Sequence, residues 1–344
     1  MTTTAITTRV LDGFDDQTFG PLEWEELLAR HQVDVVYLTW HWQRAWWETF
    51  QRGQLLLIVA EHDGRAVALA PLYFQSGMIY FLGTGVESGF LDFVGDINDA
   101  AVLEALLATA RAVVPEFLGF RFHFVPDTSS TGDRLQAAAK RLGLSCYDED
   151  EVFVPVLDLV GEPQAGSSAV RKKDMLRHES VLRREGSLEI RHLQKGTDIL
   201  PQLPDFFEQS IARWAVTAEK SRFANQKVRT FFERLTQVAA DAGWLRFTRL
   251  DWDGRPIAFH YGFCYRGRYY WEMPSFAIDQ ARRSPGTVLL RQTLLAAIEE
   301  KAAKFDFGFG RRPYKLRLAT GLTRLRTWGL FPSSASTPQQ DGSN

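Results

Sequence analysis

Two kinds of spacing organise the chain. Residues 55–74, LLLIVAEHDGRAVALAPLYF, and 244–263, WLRFTRLDWDGRPIAFHYGF, each set two apolar, strand-like runs around an Asp-Gly pair. Asp-Gly between such runs predicts a two-residue hairpin, since those turns need positive φ. The shared pattern D-G-R-x-V/I-A, at Asp63 to Ala68 and Asp253 to Ala258, suggests that one half echoes the other. Helical spacing takes over after Ser284. There Leu290, Thr293, Leu294, Ala297 and Ile298 recur at i, i+3, i+4, i+7, i+8 and predict a core-facing stripe. Ser284 is a good N-cap and Pro285 suits the first helical position. Next, Phe305, Phe307 and Phe309 alternate with Asp306, Gly308 and Gly310, predicting a strand with one packed face and one bare face.

The remaining pattern predicts strands at 78–82, 119–125 and 152–159, with helices at about 99–113 and 131–142. A Gly/Pro/Ser-rich stretch, VGEPQAGSS at 160–168, makes the best boundary. Beyond it come a basic helix at about 169–185, a strand near 187–193 and helices at about 202–218 and 226–242. Three strands, the helix after Ser284, the Phe-rich strand and a last strand near 323–330 complete the pattern. This is an α/β or α+β chain of two domains, 1–160 and 161–332, ending in a polar tail, 333–344, expected to be disordered.

Composition agrees with a chain of 344 residues carrying two cores: 45% hydrophobic, 24% charged, 25 Phe and 10 Trp. The opening MTTTAITT lacks the basic and apolar regions of a signal peptide, and no run reaches the roughly 20 apolar residues of a membrane span. A cytoplasmic location is the expectation. Cys146 and Cys264 form no metal or redox pattern. Charge is uneven: residues 1–160 carry −13 and residues 161–344 carry +11. A basic half suits a polyphosphate cofactor or an anionic acceptor, or simple attraction between halves.

The start of the helix at Ser284 adds chemistry. Gly286 and Thr287 sit where unpaired amides and the helix dipole favour an anion, and Arg282 and Arg283 flank them with guanidiniums suited to pyrophosphate. A phosphate socket beside a bare strand face points to a long phosphorylated cofactor.

This order of strand, Arg-rich turn, Gly at a helix start, helix and strand resembles the GNAT acyltransferases. The closest likeness is to the CelD-type proteins of polysaccharide biosynthesis and their FemAB-like relatives. The residues that carry it are MPSFAID before the turn, the SPG helix start, FDFGFG and Tyr314-Lys315, with weaker matches at Arg213-Trp214, APLYF and LDF. The turn keeps the family's Arg and first Gly but ends in Val288 where the family has Gly or Ala. The resemblance implies two tandem GNAT-like domains, each a mixed, mainly antiparallel sheet flanked by helices. It further implies an acyl-CoA co-substrate, acetyl-CoA first, threaded between splayed strands that include Gly308 and Gly310, and no metal. The first half lacks a counterpart of the SPG turn, so its implied work is to shape the acceptor cleft.

Lys315 and Tyr314 then fall at the mouth of the donor slot. The ammonium could stabilise the oxyanion formed when an amine attacks a thioester, and the phenol could protonate the departing thiolate. Glu272 interrupts the aromatic run RYYWEMPSF, and His260 lies in the neighbouring strand; either could deprotonate an amine. A two-residue turn between the strands puts them on opposite faces and a three-residue turn on one, so the register decides. By resemblance Arg213-Trp214 covers the acceptor and Asp92 faces the cleft; the plainer readings are a packed Trp and a turn carboxylate. The implied function is N-acylation of an amine, such as an amino sugar or polysaccharide precursor. The alternatives are FemAB-like transfer from aminoacyl-tRNA, to which the basic run Arg171-Lys172-Lys173 is relevant, or a non-catalytic binding protein.

Overall fold

The computed structural model describes residues 6–85 and 88–333; the tail expected beyond 333 lies outside the described residues. Two compact units emerge. The first gathers residues up to Gln32, 51–152 and 324 onward, and the second gathers 33–50 and 153–323. Chain order and unit membership therefore part company at 33–50 and again at 324.

In the first unit the strands run in the order Thr7–Val10, Gln54–His62, Arg65–Gln75, Met78–Phe81, Gly119–Pro126, then the 324–332 part of Gly321–Pro332 beside the early part of Leu144–Asp158. From Thr7–Val10 through to Gly321–Pro332, neighbours are antiparallel except Met78–Phe81 with Gly119–Pro126. The helix Ala100–Ala112 begins at Asp99, whose carboxylate accepts from Ala101 N at 2.8 Å. It buries Val102, Leu103, Leu106, Leu107 and Ala110, a single stripe.

The second unit orders its strands as the end of Leu144–Asp158, then Lys304–Asp306, Arg268–Phe276, Arg255–Tyr265, Leu245–Trp252 and Leu188–Leu193. One face packs Tyr269, Trp271, Phe305 and Phe307 under Met175 and Leu182 of the helix Lys173–Glu185 and Leu289, Leu290 and Leu294 of the helix Pro285–Glu299. The other face is aromatic. Phe206 and Phe232, bridged by Phe223, close on Tyr261, and Trp42 meets Phe231 and Phe263. Each unit is thus a mixed, mainly antiparallel sheet flanked by helices.

Both Asp-Gly hairpins form, with positive φ at Asp63, Gly64, Asp253 and Gly254. Three local expectations give way. VGEPQAGSS does not end as a linker: Pro163 opens the helix Pro163–Val170, and Gly166 packs so closely on Leu159 that a Cβ would come within 2.7 Å. The basic helix predicted from 169 accordingly breaks at Arg171 and restarts at Lys173. Ile298, assigned to the core stripe, is 36% exposed because the turn that carries it ends the helix. Among the described residues no helix is long and apolar enough to cross a membrane.

Candidate active site

The strands Arg268–Phe276 and Lys304–Asp306 run parallel for only three residue pairs, Arg268 with Lys304 through Tyr270 with Asp306. Past that point the chain of 307–310 follows the strand on its other side, Phe307 N donating to Pro155 O at 3.0 Å and Gly310 N to Phe153 O at 3.0 Å. Arg268–Phe276 instead stays with Arg255–Tyr265 as far as Phe276 paired with Ala258. Two neighbouring strands therefore part after Tyr270. The FDFGFG stretch is correspondingly less of a strand than its alternation predicts. Regular pairing stops at Asp306, and Gly308 and Gly310 turn at φ of 68° and 94°. A Cβ on Gly308 would approach Trp271 O at 3.4 Å.

The face expected to be bare is occupied. Asp306 is 2% exposed, its Oδ1 accepting from Gly308 N at 2.8 Å while Oδ2 faces Arg268 Nη1 at 3.9 Å. Burial, only partly offset by Arg268, pushes its carboxyl up to about 6. Nothing in the sequence distinguishes this Asp from a solvated strand residue; its burial comes from the long-range pairing of Lys304–Asp306 between two other strands.

Tyr314 and Lys315 stand on a single helical turn, Pro313–Leu316, beside the parting strands. The Lys315 ammonium donates to Gly308 O at 3.2 Å and Phe309 O at 2.6 Å, so it ties down the glycine turn. Burial lowers its affinity for a proton to about 8, against the opposing pull of Asp306 and Glu272. The Tyr314 hydroxyl, 37% exposed with its residue, accepts from Trp271 Nε1 at 3.4 Å across the gap and keeps its own proton available.

Glu272 and His260 lie on opposite faces of the sheet. Tyr265 pairs with Arg268 across the two-residue turn Arg266-Gly267, and a bulge sets Trp271 and Glu272 against Gly262. Glu272 is half-buried on the aromatic face, its Oε2 accepting from Tyr37 at 2.6 Å. Burial pushes its carboxyl up, while Tyr37, Arg222 and Lys315 pull it down. His260 departs from its expected role. Fully buried on the other face, it stacks on Trp271 with centroids 4.7 Å apart, and its Nε2 meets Tyr270 O at 3.2 Å. Burial drops its ring to about 3 and keeps it neutral, and the ring is shut off from solvent in this structure.

The anion socket also differs in detail. Ser284 occupies the N-cap position but with left-handed backbone (φ 55°) and without a side-chain cap. Thr287 N and Val288 N donate to Ser284 O at 3.0 and 3.4 Å. A Cβ on Gly286 would come within 3.1 Å of the Phe276 ring, so this glycine lets the helix start lie against the end of the parting strand. Arg283 turns from the socket to Glu185 at 3.1 Å and stacks 4.7 Å over Trp252; Arg282 is exposed. Arg213 donates to Pro274 O at 2.7 Å and lies 4.5 Å over Phe276 and 5.2 Å over Trp214, fastening its helix to the same strand end. Asp92 belongs to the first unit, where it accepts from the Thr131 hydroxyl at 2.5 Å and Phe93 N at 2.8 Å. Burial raises its carboxyl to about 6.

Residues 168–316 match the acetyltransferase (GNAT) domain family, which supports an acyltransferase. No curated protein sequence matches. Among solved structures, FemX is 10% identical, with 91% of this chain and 96% of that one covered and a TM-score of 0.67. L-PGS from Bacillus licheniformis is 11% identical over 91% and 92%, with a TM-score of 0.56. A tandem GNAT protein from the clavulanic acid biosynthesis pathway is 14% identical over 96% and 100%, at 0.53. These likenesses establish a shared fold of tandem GNAT type.

Proposed function

We propose that the second unit is an N-acyltransferase that takes an acyl group from acyl-CoA, acetyl-CoA first, to an amine such as an amino sugar. The observation that carries this is the parting of Arg268–Phe276 from Lys304–Asp306 beside Glu272, Tyr314 and Lys315. The thioester arm would lie along the edge of Trp271 to Phe276 that Lys304–Asp306 leaves unpaired, with its diphosphate toward Gly286 and Arg282. Glu272 accepts the proton of the attacking amine, a task suited to a carboxyl whose burial raises its basicity. Tyr314 protonates the departing thiolate. Lys315 shapes the glycine turn and contributes positive charge as the tetrahedral oxyanion forms.

The test is a thermal-shift measurement with acetyl-CoA. The wild-type chain should be stabilised, and Gly308→Val, which puts a branched side chain at φ 68° against Trp271 O, should lose the shift while remaining folded. No shift for the wild type with acetyl-CoA or longer acyl-CoAs would end the acyl-CoA reading. The whole-chain likeness to FemX favours one second reading, with an aminoacyl-tRNA as donor. Activity abolished by ribonuclease and indifferent to coenzyme A would select it.

A further inference from the structure

Glu272 is not held by its own domain sequence alone. Residues 33–50 lie far upstream of the matched region 168–316, yet belong to the second unit. They are fastened along the strand Arg268–Phe276 at several points. The Tyr270 hydroxyl donates to Asp34 O at 2.8 Å and accepts from Val36 N at 3.2 Å. Arg268 Nε and Lys304 Nζ approach the Asp34 carboxylate at 3.4 and 3.6 Å. These contacts seat the short turn Val36–Leu38, and Gln43 Nε2 donates to Tyr37 O at 2.6 Å. The Tyr37 ring, 3% exposed, is clamped edge-on between Trp42 and Tyr270, with centroids at 4.9 and 5.6 Å. Its hydroxyl is aimed at the Glu272 carboxylate at 2.6 Å, a length typical of a hydrogen bond to a charged oxygen.

We propose that Tyr37 is a positioning residue of the acyl-transfer site, delivered by this upstream segment to hold the Glu272 carboxylate in its working orientation. The proposal rests on the reading of Glu272 as the base. Other groups act on the same carboxyl. Lys315 from the turn Pro313–Leu316 and Arg222 from the turn Arg222–Ala224 favour its ionised form, while Asp306 and Tyr261 share its field from the neighbouring strands. Lys315, Arg222 and Asp306 act through their charges, whereas Tyr37 acts through a direct hydrogen bond. Removing the phenol oxygen should therefore be felt as a change in how tightly Glu272 holds a proton.

The experiment is a carbon NMR titration of the full chain labelled at glutamate carboxyls, with Glu272→Gln identifying the resonance. In Tyr37→Phe the Glu272 midpoint should rise by about 1 pH unit or more, the effect of losing a hydrogen bond to a charged group. Ring-fluorinated tyrosine, a stronger donor that leaves packing nearly intact, should move the midpoint down. Thiol release from acetyl-CoA with glucosamine as acceptor should show the acid limb of kcat moving with the midpoint while KM for acetyl-CoA holds. An unchanged Glu272 midpoint in both substituted proteins would overturn the role of Tyr37. Undiminished turnover in Glu272→Gln would instead overturn the base assignment, and the titration would still report the coupling.

Discussion

Replacing Asp306 by Asn should make the protein more stable at neutral pH. Asp306 is buried with one oxygen 3.9 Å from Arg268, and its carboxyl is raised from 3.8 to about 6. The folded state thus binds its proton more tightly than the unfolded chain. Stability from this group is present below pH 3.8 and is lost as pH rises through about 6. Raising a carboxyl that far costs the charged form roughly 3 kcal/mol at pH 7 and about half of that at pH 5. Asn cannot ionise and its carbonyl can keep the bond from Gly308 N. Asp306→Asn should therefore gain up to about 3 kcal/mol at pH 7, less a part for the amide group facing Arg268, and about 1.5 kcal/mol at pH 5. Urea unfolding followed by tryptophan fluorescence at the two pH values reads the difference. A variant destabilised at pH 7 and restored at pH 5 would refute the reasoning, because it would show that the Asp306 charge is a net stabilising partner of Arg268.

Lys315 titrates near 8, so turnover should fall on the alkaline side with a midpoint near that value, and Lys315→Arg should push the limb beyond the measurable range. Its contribution to stability has the opposite trend, rising between pH 8 and 10.5 as the folded amine loses its proton before the unfolded one does. A pH–rate profile beside a pH–stability profile checks both signs. Arg283 is engaged by Glu185 and Trp252, so Arg283→Ala should leave the acetyl-CoA thermal shift unchanged and cost less than about 1 kcal/mol; a lost shift would return Arg283 to the diphosphate.

Local chemistry was legible in the sequence wherever the physics is local. Asp253-Gly254 and Asp63-Gly64 form hairpins because neighbouring residues alone decide those turns. Pro285 opens its helix for the same reason. Alternation failed at FDFGFG, where the third Phe follows a glycine turn and the polar position at 306 is buried by strands more than thirty residues away in sequence. Glu272 stood out as a carboxylate among aromatics, but the residue that holds it did not. Tyr37 precedes the run LTWHWQRAWW, which reads as ordinary core, and only the tertiary path of 33–50 brings it to the strand. His260 and Glu272 were separable only by the register of Arg255–Tyr265 against Arg268–Phe276.

The exchange of 33–50 and 324–332 between units bears on how the molecule is made. A ribosome releases Trp42 and Trp46 long before Phe231 exists to cover the former, and the strand segment 324–332 is made only after all of 153–323, although the earlier-made unit needs it. Neither unit can close until its distant segment has been made, so nascent chains carry bare tryptophans until then and should lean on holding chaperones. Fragments cut at the borders of 168–316 would inherit that same unfinished surface.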